Sequence, residues 1–175
     1  MTHDTAGDAG HDKFLYDFWY LAFPSHLVRK GGMLAKTILG EPMLFLRDVD
    51  GTLTAIRDLC PHRGMPLHHG SFDGRCIECC YHGWTFRADG RCTKVPSLPE
   101  DQSADATRIG LRSYPCREQQ GNAWVFVPSR RRRAEESLPA VPSMPGVGDM
   151  AAQISCSLTY PLDADPAAYT LMDPA

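Results

Sequence analysis

The sequence predicts a small antiparallel all-β domain that extends from about residue 14 to residue 128. Asp-Gly pairs recur through this region, and glycine tolerates the positive φ that tight hairpin turns require. The segments between these turns are short and rich in β-branched and aliphatic residues, and none repeats apolar residues at the 3.6-residue period of a helix. Together these features favour hairpin-connected strands over helices.

The predicted strands follow in order along the chain, with turns at pairs such as Asp50-Gly51 and Asp89-Gly90. Phe14–Tyr20 fits either one helical turn or a short strand. The remaining segments predict strands at Leu34–Leu39, Pro42–Arg47, Thr52–Asp58, Trp84–Arg87, Arg112–Glu118 and Ala123–Val127.

The two ends of the chain differ from this domain in composition. Residues 1–13 are polar and acidic, which predicts a flexible tail. Residues 129–150 contain the run Arg130–Arg133 and many prolines, which predicts a linker. The arginine run is interpreted either as a solvated part of that linker or as a docking surface for an acidic electron donor. Strand character returns at Gln153–Thr159, and a short helix is expected at Asp165–Leu171.

The composition narrows the classes of function. A net charge of −3 gives no indication of a nucleic-acid partner. The longest uncharged apolar stretch, Phe18–Val28, is too short to span a bilayer. The first residues lack a basic start and an apolar run, so no targeting peptide is expected and a cytoplasmic location follows. Seven cysteines in such a chain indicate metal binding or buried thiols rather than disulfides.

Two short motifs carry the chemistry, and each supplies one thiolate and one imidazole. The first is Cys60-Pro61-His62-Arg63-Gly64 and the second is Cys79-Cys80-Tyr81-His82-Gly83-Trp84. In a Rieske centre, two histidines replace two cysteines on one iron of a [2Fe–2S] cluster. The soft thiolates would hold one iron and the neutral imidazoles the other. The predicted ligands are therefore Cys60, His62, Cys79 and His82.

The residues around these ligands fit two loops wrapped around a cluster. Gly64 and Gly83 allow the backbone to approach the bridging sulfurs and to point N–H groups at them. Arg63 is interpreted either as a partner of an acid near the loops or as a solvated side chain. Three further side chains are expected to shield the sulfurs from water, namely Met65, Tyr81 and Trp84.

Two competing hypotheses use some of the same residues. A zinc site formed by Cys60, His62, Cys76 and Cys79 has acceptable ligand types, but it leaves His82 without a role. A redox pair of Cys76 and Cys79 lacks the βαβ context of a thioredoxin-like fold. The remaining cysteines, including Cys80, are interpreted as packing residues.

The stretch over residues 14–128 resembles the N-terminal Rieske domain of Rieske non-haem iron oxygenases, the ring-hydroxylating and O-demethylating enzymes. The resemblance is specific at CPHRGMPL and CYHGWTF and includes Phe18-Trp19-Tyr20. It implies a small antiparallel sandwich whose cluster is held by two loops. It also implies an NAD(P)H-driven system with a reductase or ferredoxin as electron donor, an aromatic or related apolar small-molecule substrate, and a homotrimer.

Rieske proteins of respiratory chains resemble this chain in their ligands but differ at three positions. They carry a disulfide cysteine in each loop, where this chain has Met65 and Tyr81, and a serine that bonds a cluster sulfur, where it has Trp84. Fewer hydrogen-bond donors to sulfur favour the oxidised cluster. We therefore expect a low reduction potential, on the order of −150 mV.

The last five residues, Leu171-Met172-Asp173-Pro174-Ala175, resemble the start of the signature that binds a mononuclear Fe(II) in these oxygenases. By this resemblance, Asp173 links that iron to a Rieske histidine, here His82, across a subunit boundary. An ordinary turn aspartate is the alternative. Residues 151–175 are then the start of a truncated catalytic domain, and the chain is expected to be inactive alone. A free-standing Rieske ferredoxin is the alternative function.

Overall fold

The computed structural model describes residues 14–98, 106, 108–133, 136–145 and 166. Within these ranges the chain forms β-strands joined by turns, with two 3-10 turns at Ser25–Leu27 and Leu67–His69. No helix of the described part is long and apolar enough to cross a membrane. The strands are β1 (Phe18–Pro24), β2 (Met33–Ile38), β3 (Glu41–Arg47), β4 (Leu53–Arg57), β5 (Ser71–Phe72), β6 (Cys76–Glu78), β7 (Thr85–Arg87), β8 (Cys92–Lys94), β9 (Ser113–Tyr114), β10 (Cys116–Gln119) and β11 (Asn122–Val127).

The strands form three antiparallel sheets, which confirms the predicted fold class. Sheet A has the order β1-β11-β10, sheet B the order β2-β3-β4-β9, and sheet C the order β5-β6-β7-β8. Strand β3 is buried on both faces, because its side chains alternate between two cores. Met43 and Phe45 pack in a core shared with sheet A. Leu44 and Leu46 pack in a core shared with sheet C. Sheet B is therefore the middle layer.

One predicted strand is wrong in its extent, and a proline explains why. The segment predicted as a continuous strand at Arg112–Glu118 is divided at Pro115 into β9 and β10. Proline has no N–H to donate to a ladder, so β9 pairs in sheet B and β10 pairs in sheet A. The Pro115 carbonyl accepts the Phe126 N–H at 2.8 Å. At the N-terminal end, the open choice at Phe14–Tyr20 is resolved as a strand that begins at Phe18.

The chain that follows β11 folds back onto sheet A. The Trp19 indole N–H donates to the Pro139 carbonyl at 2.8 Å. The Gln120 side chain accepts the Met144 N–H at 2.8 Å and donates to the Met144 carbonyl at 3.2 Å. Val141 and Met144 also pack against a buried aromatic cluster that includes Trp19. We call residues 136–145 the strap, since this described part of the predicted linker is held along the sheet.

Candidate metal centre

The two predicted ligand loops have the same backbone geometry. In the first loop the Cys60 N–H donates to the Met65 carbonyl at 2.8 Å, and the Gly64 N–H donates to the Cys60 carbonyl at 2.9 Å. In the second loop the corresponding bonds, from Cys79 to Trp84 and from Gly83 to Cys79, measure 2.9 and 3.0 Å. Gly64 and Gly83 both adopt the left-handed backbone conformation, with φ of +68° and +67°. Two equivalent turns therefore present one cysteine and one histidine each.

The two cysteines lie side by side at the base of the loops. Cys60 and Cys79 are 3% and 2% exposed and belong to the core between sheets B and C. The two thiols are close enough to interact. Burial is the largest effect on the pKa of Cys60 and raises it, and the neighbouring Cys79 thiol contributes to this rise, while the backbone N–H groups of His62 and Arg63 act in the opposite direction. A buried pair of this kind becomes a pair of thiolates when a metal replaces the protons.

The two histidines lie at the exposed end of the loops. The ring centroids of His62 and His82 are 4.6 Å apart, and both residues are exposed. The pKa of His82 is lowered, first by partial desolvation and then by the neighbouring His62 and Arg63. A lowered pKa favours the neutral imidazole, which is the form that binds a metal.

Aromatic side chains cover these imidazoles. The Trp84 indole is stacked parallel to the His62 ring, with centroids 4.8 Å apart and an interplanar angle of 3°. The Tyr81 ring lies 3.9 Å from the His82 ring. Of the three side chains expected to shield the sulfurs, these two therefore contact imidazoles, and Met65 packs at the core that contains both thiols.

The donor set fits a binuclear cluster better than a single ion. Among the residues that the structure describes, no three His, Cys, Asp or Glu side chains converge as they would around one metal ion. The predicted ligands instead form one pair of thiols and one pair of imidazoles. This is the division that the two irons of a Rieske cluster require, so the residues present fit that group. A four-ligand zinc site with Cys76 finds no such support.

Not every predicted residue falls in the described part of the chain. Asp173, the candidate bridging aspartate, and Cys156 lie outside the described residues. The other cysteines, from Cys60 to Cys116, are all free thiols, so neither loop carries a disulfide. One contact beside the first loop, between the buried Asp58 and His68, was not predicted from the sequence. An aspartate two residues before the first ligand was its only signal.

Comparison with known proteins assigns the family. Residues 18–115 match the Rieske [2Fe-2S] domain. The chain is 39% identical over 112 residues to chlorophyllide a oxygenase of Chlamydomonas reinhardtii, covering 64% of this chain and 17% of that protein. It is 32% identical over 160 residues to the protein TIC 55 of Arabidopsis thaliana, covering 90% of this chain and 29% of that protein.

A solved structure shares the fold. A chain of the reduced complex between oxygenase and ferredoxin in carbazole 1,9a-dioxygenase superposes with a TM-score of 0.59 at 31% identity. The match covers 65% of this chain and 29% of that one. The chain thus spans less than a third of the length of each of these relatives. By the match over residues 18–115 and the paired loops within it, the chain belongs to the Rieske [2Fe–2S] domain family.

Proposed function

We propose that this chain is the electron-transfer region of a Rieske oxygenase, with Cys60, His62, Cys79 and His82 as the cluster ligands. One observation supports this most strongly: a pair of buried, adjacent thiols lies beneath a pair of exposed, adjacent imidazoles. When bound, the [2Fe–2S] cluster supplies one-electron redox chemistry.

The thiols and the imidazoles would have different roles: the thiols would anchor the cluster, and the imidazoles would place it within reach of an electron donor or acceptor. The two thiols root the centre in the core between sheets B and C. The two imidazoles face the surface, where an electron donor or acceptor can approach closely. The Trp84 and Tyr81 rings lie against the imidazoles, so they fix the orientation of the rings and exclude water from one side of each. We also propose that the cluster has a low reduction potential, and the absence of disulfides among the described cysteines is consistent with it.

For the parent protein we propose an NAD(P)H-driven hydroxylation or O-demethylation of an aromatic or related apolar substrate. A reductase or a ferredoxin would supply the electrons, and the solved oxygenase–ferredoxin complex supports a donor of this kind. The mononuclear Fe(II) site would lie beyond the described residues, with Asp173 as its bridging aspartate, in a homotrimer. We also propose a cytoplasmic location, although two of the relatives are chloroplast proteins.

A free-standing Rieske ferredoxin is the second candidate function. The match to TIC 55 over 160 residues favours a longer parent protein over a free-standing Rieske domain, because it extends well outside the Rieske match at residues 18–115. Sequencing the gene beyond Ala175 separates the two: histidines shortly after Asp173 support the oxygenase, and their absence supports the ferredoxin.

Substitution of single ligands tests the proposed cluster. Cys79→Ser and His82→Ala should each abolish the visible absorption of the iron-loaded protein. Cys80→Ser and His69→Ala are matched controls, since each replaces an exposed residue of the same type close to the loops. The controls should keep the spectrum. A redox titration of the wild-type protein should give a potential on the order of −150 mV. An unchanged spectrum in Cys79→Ser, or a clearly positive potential, would contradict the proposal.

A further inference from the structure

The two ligand loops are closed in different ways. The second loop is the tip of a hairpin, in which Glu78 pairs with Thr85 and Cys76 pairs with Arg87. The ladder on either side therefore fixes its ends. The first loop begins after β4 in sheet B and reaches β5 in sheet C, so its two ends belong to different sheets. No strand pairing closes the first loop within the described residues.

A side-chain contact between Asp58 and His68 joins the two ends of the first loop, where strand pairing is absent among the described residues. The Asp58 carboxylate accepts the backbone N–H of His68 through Oδ1 at 2.9 Å. Its Oδ2 also contacts Nδ1 of the His68 ring. Asp58 is only 3% exposed, and its own N–H donates to the Pro42 carbonyl of β3 at 2.9 Å. One end of the first loop is thereby tied to the other and to the middle sheet.

Because Asp58 is buried, its contact with His68 restricts the conformations that the first loop can adopt. A carboxylate that is removed from water needs hydrogen-bond donors, because an unpaired buried charge is costly. The bonds described for the Asp58 carboxylate both come from residue 68. They form only when residues 59–67, which carry Cys60 and His62, adopt the closed loop. An open or shifted loop leaves the carboxylate without these donors.

We propose that Asp58 and His68 are positioning residues that set the first ligand pair against the second. The inference rests on the proposed ligand set. Partners that orient metal ligands from outside the coordination sphere have large effects on metal retention, and this pair acts through the backbone of the loop. It touches neither thiol of the candidate centre in the described contacts.

The test compares Asp58→Ala and His68→Ala with Asp73→Ala in the iron-loaded protein. Asp73 is a matched control, because its carboxylate also accepts two backbone N–H bonds, from Arg75 and Cys76, but in the turn before β6. We expect Asp58→Ala to lose the cluster to a chelator roughly tenfold to a hundredfold faster than wild type, and His68→Ala, which keeps the backbone bond, to lose it several-fold faster. Their reduced-state EPR spectra should also shift, whereas Asp73→Ala should match wild type in both measurements. Asp58→Asn, which keeps an acceptor for the His68 N–H, should be intermediate.

The same variants can also contradict the positioning role of Asp58 and His68. If Asp58→Ala and His68→Ala retain the cluster as Asp73→Ala does, with unchanged EPR spectra, the positioning role is wrong. If Asp58→Ala does not fold, His68→Ala decides alone, since it leaves the Asp58 bond to the backbone intact. A wild-type protein without a Rieske spectrum would overturn the proposed function, whereas a wild-type Rieske spectrum with unaffected variants overturns only this inference.

Discussion

Gly70→Ala should destabilise the protein by displacing the strand that leads into the second loop. Gly70 ends the 3-10 turn that follows the first loop, and its φ of −85° suits any residue. A Cβ there would stand 2.0 Å from the Glu78 carbonyl oxygen and 3.1 Å from the Leu67 carbonyl oxygen. Real Cβ contacts are essentially never under 3.0 Å, so the Glu78 backbone must retreat by about 1 Å (3.0 minus 2.0). Cys79 directly follows Glu78.

The expected loss in unfolding free energy depends on which atom the new Cβ would overlap, here the Glu78 backbone carbonyl oxygen. Overpacking typically costs 1–3 kcal/mol, and a backbone atom in a ladder yields less than a side chain, so we expect about 3 kcal/mol. Gly31→Ala is the matched control, because Gly31 lies outside both ligand loops. Its Cβ would meet nothing within 4 Å, and only the left-handed φ of +71° is penalised, by about 1–2 kcal/mol. The assay is the urea midpoint of the iron-loaded variants. A midpoint for Gly70→Ala equal to or above that of Gly31→Ala would refute the predicted displacement of the Glu78 backbone.

Three further predictions concern the surrounding scaffold. Burial raises the pKa of Cys116 and of Tyr114 to about 12, so the unfolded chain ionises first as the pH rises above the ordinary values of 9 and 10. Stability should therefore fall between about pH 9 and 12, and Cys116→Ala should flatten this loss in thermal unfolding. Arg47→Leu removes bonds to Glu118 and to three backbone carbonyls, and urea unfolding should register a loss of about 3 kcal/mol. Gln120→Ala releases both bonds to Met144, so protease should cut the strap several-fold faster while the visible spectrum stays unchanged; equal cleavage would contradict the docking of the strap.

The ligand residues were predictable because their signal is local. Two matched Cys and His pairs, each followed by glycine, identify the loops without knowledge of the fold. The longer strands were predictable for a similar reason, since Pro42–Leu46 and Ala123–Val127 are continuous apolar runs, and the strands predicted from them lie within one residue of β3 and β11. Strands of two or three residues, such as Ser71–Phe72, are too short to carry a periodic pattern.

The remaining features depend on contacts between distant parts of the chain. The Asp58 contact with His68 crosses the whole first loop, and neither residue differs in type from an ordinary surface residue. The strap was predicted as part of a linker because its composition is that of a linker. Its position depends on Trp19, which is 120 residues away in the sequence. Such long-range partners become visible only when the sheets are assembled.

The central claim is that two histidine nitrogens and two cysteine sulfurs bind one [2Fe–2S] cluster, and nitrogen coupling in the reduced state tests it most directly. The iron-loaded protein would be prepared with ¹⁵N-labelled histidine, reduced, and measured by electron–nuclear double resonance. We predict hyperfine coupling from two histidine nitrogens. A reduced cluster without histidine coupling would contradict the assignment of His62 and His82 as ligands.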